Sequence, residues 1–132
     1  MMKCFGMVLA LLLLSACASL PGKKTVRVDA RQTELLLSRV EGTTPVILEN
    51  GLGATLDWWA KVYPSLAAET TVFAYNRPGY GRSSPPVTPR DGEHVMEELR
   101  DLLRSQGVQP PYVLEKPEAV IEAVRLAIGS DR

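Results

Sequence analysis

The chain has 132 residues, with 15 basic and 15 acidic side chains and two cysteines. That length can bury one domain-sized core but not two. A formal net charge of zero, with no clustered basic excess, excludes the electrostatic footprint of a nucleic-acid-binding surface.

Met1-Met2-Lys3 carries the only charge before an apolar run from Phe5 to Leu14. A short positive start and an apolar stretch too short to span a bilayer comfortably make a secretory signal. The run closes on Leu14-Ser15-Ala16-Cys17, which resembles the lipobox of bacterial lipoproteins. The resemblance implies that residues 1–16 are the signal peptide and that Cys17 carries lipid. Residues 17–24 would then be anchor and tether, and the partner a membrane. An ordinary secretory signal cut near Ala16 or Ala18, with Cys17 incidental, is the alternative. Cys4 would leave with the signal and Cys17 would be blocked, so neither disulfide nor thiol chemistry is expected. Ala18, rather than an inner-membrane retention aspartate, follows the cysteine. By resemblance to Gram-negative lipoproteins, this favours the outer membrane of the cell envelope over the inner.

Thr25 to Asp29 alternates apolar and polar residues, and Glu34 to Val40 is β-prone, so two antiparallel strands are expected. Glu41-Gly42-Thr43-Thr44 is turn chemistry. Pro45 to Glu49 is a compact apolar run, as in a strand buried on both faces. Leu56, Trp59, Val62 and Leu66 follow at helical spacing, with Pro64 expected to kink or break the helix. The same spacing places Trp59 against the sheet.

Thr71 to Tyr75 reads as another buried strand. It empties into a loop of turn formers from Asn76 to Pro86. Thr88 is the expected cap of the next helix, with Pro89 at its first position and Asp91 completing a capping box. Val95, Leu99 and Leu102 or Leu103 form its stripe, and Gly107 stops it. Pro111 to Leu114 is a short strand. Pro117 opens a last helix with Val120, Ile121, Val124 and Ile128 on its apolar face. Alternating strands and helices call for an α/β fold with a mainly parallel sheet. The expected sheet is mixed, with about five strands, two antiparallel and three parallel, and about three helices. The parallel strands begin near Pro45, Thr71 and Pro111.

Three segments together resemble the α/β-hydrolase family. Val46 to Gly53 is similar to its strand and His-Gly-x-Gly turn, with Asn50 in place of the histidine. Asp57-Trp58-Trp59 with Tyr63 to Ala67 is similar to its first helix. Asn76-Arg77-Pro78-Gly79-Tyr80-Gly81-Arg82-Ser83 is similar to its Asp-x-Arg-Gly-x-Gly-x-Ser loop, with Asn76 in the acidic position. The resemblance implies a partial α/β-hydrolase fold, its N-terminal part over residues 25–114 and its closing helix over 115–132. It also implies that the Leu52 amide occupies an oxyanion-hole position, although tight-turn glycines explain the same motif. A competing reading takes Gly51-Leu52-Gly53 as the start of a dinucleotide fingerprint. Leu56 stands where that motif needs its third glycine, and Asn76 is not acidic.

A serine hydrolase of this fold needs a nucleophile in Gly-x-Ser-x-Gly, a base and an orienting acid. Gly81-Arg82-Ser83-Ser84-Pro85 fails at its last position, and the lone histidine, His94, reads as a solvated helix residue near Glu93, Glu97 and Glu98. Glu97–Arg100 and Asp101–Arg104 are the expected pairs on that helix. No catalytic residue, cofactor or metal ligand is therefore assigned. The strand ending at Leu114 resembles the one that leads into the nucleophile turn, yet Glu115 already begins the closing helix, as though an internal deletion had joined them. A short family with a closing helix of its own is the alternative account. The expected product is an inactive, truncated hydrolase-family lipoprotein whose Tyr112 strand is an edge open to self-association. A non-catalytic binding or cell-envelope protein using the half-fold is the second possibility.

Overall fold

The structure is a computed structural model and describes residues 19–115. Cys17 and the helix expected from Pro117 lie outside the described residues. β1 (Lys24–Val28) and β2 (Arg31–Ser38) form an antiparallel hairpin, with Lys24 opposite Leu35 and Val28 opposite Arg31. β3 (Val46–Leu48), β4 (Val72–Tyr75) and β5 (Val113–Glu115) complete a five-stranded sheet in the order β1-β2-β4-β3-β5. β4 is antiparallel to β2 and parallel to β3, and β5 is parallel to β3. The mixed sheet expected from the sequence is thus the observed one.

β2 is buried at consecutive positions because the sheet is covered on both faces. Leu36 packs with Leu48, Leu56, Trp59 and Val72 on one side. Leu35 packs with Ile47, Phe73, Leu99 and Leu103 on the other. Neighbouring strand residues point to opposite faces, so a run of leucines can fill two cores at once.

The segment after β3 departs from the expected helix. Leu56–Trp59 forms one 3₁₀ turn, and a separate helix α1 runs Tyr63–Glu69. Pro64 lies in the first turn of α1, where its missing N–H costs nothing. The proline therefore starts a helix rather than breaking one. Trp59 is buried as its spacing requires, whereas Trp58 is 70% exposed.

Helix α2 spans Gly92–Ser105 and buries Leu99, Leu102 and Leu103, with Val95 half-buried. Its cap is Asp91, whose carboxylate accepts the His94 N–H at 3.0 Å, and not Thr88. An anionic cap suits the positive end of the helix dipole. Thr88 instead donates to Glu98 at 2.6 Å, and Pro89 precedes the helix. At the other end Gly107 takes φ +66°, with Val108 N–H donating to Leu103 and Gly107 N–H to Arg104. This paired closure satisfies the last carbonyls of the helix. Among the described residues β5 has no neighbour beyond β3, and Val113 and Leu114 remain partly exposed.

Candidate functional site

In open α/β sheets ligands gather where the parallel strands finish. Here that end carries the turn after β3 and the long loop after β4. The loop after β4 is held by a buried polar lock that reaches back to β2. Glu34 Oε2 accepts Asn76 Nδ2–H at 2.7 Å and the Arg82 backbone N–H at 3.0 Å. The Glu34 carbonyl accepts the Asn76 N–H at 2.8 Å, and Glu34 N–H donates to Ser83 Oγ at 3.0 Å. Ser83 Oγ in turn donates to the Asn76 carbonyl at 2.8 Å. Gly81 closes over this lock with φ +54°, so near that a Cβ would lie 2.2 Å from Asn76 Nδ2 and 2.4 Å from Glu34 Oε2.

Asn76 ties the two loops together as well. Its Oδ1 accepts the Leu56 N–H at 2.8 Å, which fixes the start of the 3₁₀ turn after β3. Asn50 does the corresponding work one strand over. Its Nδ2 donates to the Tyr75 carbonyl at 2.7 Å, and its Oδ1 accepts the Trp59 indole N–H at 2.6 Å. An amide offers a donor and an acceptor together, so one buried side chain satisfies both strand end and tryptophan.

Beside it the Tyr75 hydroxyl donates to Glu49 Oε2 at 2.6 Å, and Arg77 pairs with Glu49 Oε1 at 2.5 Å. Burial pushes the Tyr75 phenol far above its ordinary value, and the Glu49 charge pushes it the same way. For Arg77, burial opposes the charge, but the Glu49 carboxylate outweighs it and holds the guanidinium protonated.

Leu52 lies on the turn after β3, its side chain 92% exposed. The turn is closed by the Ala54 N–H donating to the Gly51 carbonyl at 3.1 Å, and the Leu52 amide donates to no acceptor among the described residues. Such an amide could serve an oxyanion, provided a nucleophile faced it. The serines of the β4 loop do not. Ser83 is committed to the lock, and Ser84 is bonded to β2, its Oγ accepting the Gln32 N–H at 2.9 Å.

His94 is half-exposed and pairs with Asp91, not with the glutamates of its own helix. Its Nδ1 lies 2.7 and 2.8 Å from the two Asp91 oxygens. The His94 backbone N–H, and then its ring, hold the Asp91 carboxyl below the usual carboxylate range. No serine hydroxyl joins this pair among the described residues. Asp101–Arg104 forms as expected at 3.1 Å, while Glu98, rather than Glu97, carries the stronger contacts, to Arg31 and Arg90.

The dinucleotide alternative fails on geometry. That scheme needs a helix starting at the glycine turn to face a pyrophosphate, whereas α1 starts only at Tyr63, beyond the 3₁₀ turn. The sequence alone assigns no role to Glu34, Glu49 or Arg77. The one signal for Glu34 is a lone acid ahead of leucines expected in a strand, a position that favours burial only with a partner.

A family model described as the alpha/beta hydrolase fold matches residues 44–115. A protein of Gibberella zeae described as an AB hydrolase superfamily protein is 37% identical over 97 residues, covering 67% of this chain and 30% of its own length. Among solved structures, a membrane phospholipase A described as a bacterial virulence factor superposes with a TM-score of 0.64 at 26% identity, covering 76% of this chain and 32% of that one. The Cif epoxide hydrolase from Acinetobacter nosocomialis does so with a TM-score of 0.65 at 20% identity, covering 74% and 31%. The chain spans about a third of the length of these relatives.

Proposed function

The chain belongs to the α/β-hydrolase family, and from that premise we propose that it is a catalytically silent member, held in a bacterial cell envelope by lipid on Cys17. The observation that carries the reading lies at the end of β5. This strand runs parallel to β3 in the register Val46–Val113 and Leu48–Glu115, as a strand leading into the nucleophile turn would. The next residues are Lys116-Pro117-Glu118, and no Gly-x-Ser-x-Gly occurs anywhere in the sequence. Among the described residues no serine faces the Leu52 amide, and such an amide alone stabilises no intermediate.

The purified protein should neither hydrolyse a short acyl ester nor label with a fluorophosphonate probe. Labelling at any serine would overturn the assignment. On the same preparation, sizing should give a species larger than the monomer. Among the described residues no strand lies beyond β5, and an edge flanked by exposed Val113 and Leu114 is a template for pairing with a second copy. A monomer that binds no apolar dye and melts above roughly 60 °C, high for a mesophile domain, would remove the self-association.

For the anchor, Leu14-Ser15-Ala16-Cys17 at the end of the apolar run supports lipidation, and several acyl chains on one cysteine would hold firmly. Cys17→Ser should leave an unprocessed precursor without lipid. Wild-type processing and fractionation of that variant would exclude the lipobox. Ala18 after the cysteine favours the outer membrane.

A further inference from the structure

The described chain begins at a point fixed against the body. Leu20 is 5% exposed and packs in the core with Leu56 and Trp59. Its N–H donates to Asp57 Oδ1 at 3.2 Å, and the Lys23 ammonium meets the same oxygen at 2.6 Å. Asp57 therefore clamps the incoming chain at two points. The groove beside this clamp is lined by Lys23, Asp57, Asn76, Gly81, Arg82 and Glu34, among others. It thus lies where β3 and β4 finish, next to the polar lock.

Cys17 stands three residues before Leu20 in the sequence. An extended chain spans at most about 3.6 Å per residue, so Cys17 lies within roughly 11 Å of the clamp. Lipid on Cys17 requires the bilayer surface to come equally close. Trp58 is the next residue after Asp57 and, unlike its neighbour Trp59, is 70% exposed. Leu52, on the turn between β3 and the same 3₁₀ segment, is 92% exposed. A tryptophan with one apolar end and one N–H fits the headgroup level of a bilayer.

We infer that the Asp57–Trp58 turn is the membrane-contacting surface, with Trp58 seated in the lipid interface. The end of the sheet where β3 and β4 finish then faces the bilayer. The occupant is a lipid surface rather than a protein because the anchor's short reach brings lipid to this turn whatever else binds. Arg82, its side chain 79% exposed, lies 4.0 Å from Glu34 at the rim of the same groove, and Lys23 pairs with Asp57. The groove thus carries no net charge, and the bilayer contact rests on Trp58 and Leu52. The inference rests on the lipid at Cys17 proposed above.

The test uses the processed full-length protein, reconstituted into phosphatidylethanolamine–phosphatidylglycerol vesicles containing lipids brominated near the headgroup. Mass spectrometry of the N-terminal peptide reports lipid on Cys17. Trp58 emission is taken as the difference between wild type and Trp58→Phe, a substitution at an exposed site. The expected result is loss of most of the Trp58 emission to the brominated lipid, with little quenching by aqueous acrylamide. A lipidated Cys17 with Trp58 open to acrylamide overturns the orientation alone. Trp58 shielded from acrylamide but unquenched by bromine overturns it too, since a protein would then cover the turn. An unmodified Cys17 removes the anchor and the orientation together.

Discussion

Gly81→Ala should lower the unfolding free energy by about 3–5 kcal/mol, the cost of breaking a buried, hydrogen-bonded charged contact. The new methyl carbon would fall 2.2 Å from Asn76 Nδ2 and 2.4 Å from Glu34 Oε2, distances no real carbon tolerates. Neither group can retreat, because each is held by other bonds: Asn76 by Leu56 N–H and Glu34 by Arg82 N–H. Holding a side-chain-bearing residue in the left-handed region adds about 1–2 kcal/mol. Against a typical total of about 5–15 kcal/mol, this single methyl removes a large part of the stability. Gly107→Ala separates the two contributions. It carries the same left-handed strain, at φ +66°, but its Cβ would meet only Arg39 Nη2 at 3.8 Å, so it should cost about 1–2 kcal/mol. Urea unfolding of the two variants measures both. Equal losses would mean that the lock contributes nothing beyond backbone strain.

Asn76→Asp, which restores the acid usual at this position in the resembling motif, should destabilise the protein strongly at neutral pH. The Asn76 amide donates to the buried Glu34 carboxylate at 2.7 Å. An aspartate there sets a second carboxylate against Glu34 at a buried position, which disfavours ionisation of the introduced group. The introduced carboxyl would have its folded pKa raised by roughly three units, about 4 kcal/mol at 1.36 kcal/mol per unit. The sign comes from linkage. A carboxyl with a folded pKa above its unfolded value binds its proton more tightly when folded, so the penalty is absent below about pH 4. It grows as pH rises and is complete above the raised value. The difference in urea midpoint between variant and wild type should therefore be large at pH 7 and small at pH 4. A difference independent of pH would show that lost packing, rather than charge, governs the site.

This substitution also marks how far the sequence is legible. Strand positions and their directions emerge from apolar runs and from alternation with helices, because burial on two faces leaves that pattern in any sequence. Spacing alone places Trp59. The cap of α2 lies three residues beyond its expected position, since Thr88 and Asp91 both satisfy the capping pattern and only the tertiary contact from Thr88 to Glu98 separates them. The run Leu56 to Leu66 has the pattern of one helix because periodicity does not register a 3₁₀ turn followed by a new start. Least legible is the polar lock. Asn76 looks like a lost acid, whereas in the fold it donates to an acid, Glu34, 42 residues earlier. A single sequence carries no sign that two such positions meet.

The separation of those partners has a kinetic meaning. Glu34 lies 42 residues from Asn76 and 49 from Ser83, and the entropy of closing a loop must be met before such distant contacts return anything. Val46, by contrast, needs only the 26-residue excursion to Val72 to place β3 on β4. The expected order is that β2, although made early in the chain, docks after β3 and β4 have paired; a variant of the lock that slows refolding as much as it speeds unfolding would overturn it. Interactions absent from the transition state act on the rate of escape from the native state rather than on the rate of reaching it. On that order Glu34, Asn76 and Gly81 should work as a latch that sets the lifetime of the fold, and loosening them should speed unfolding while leaving refolding nearly unchanged.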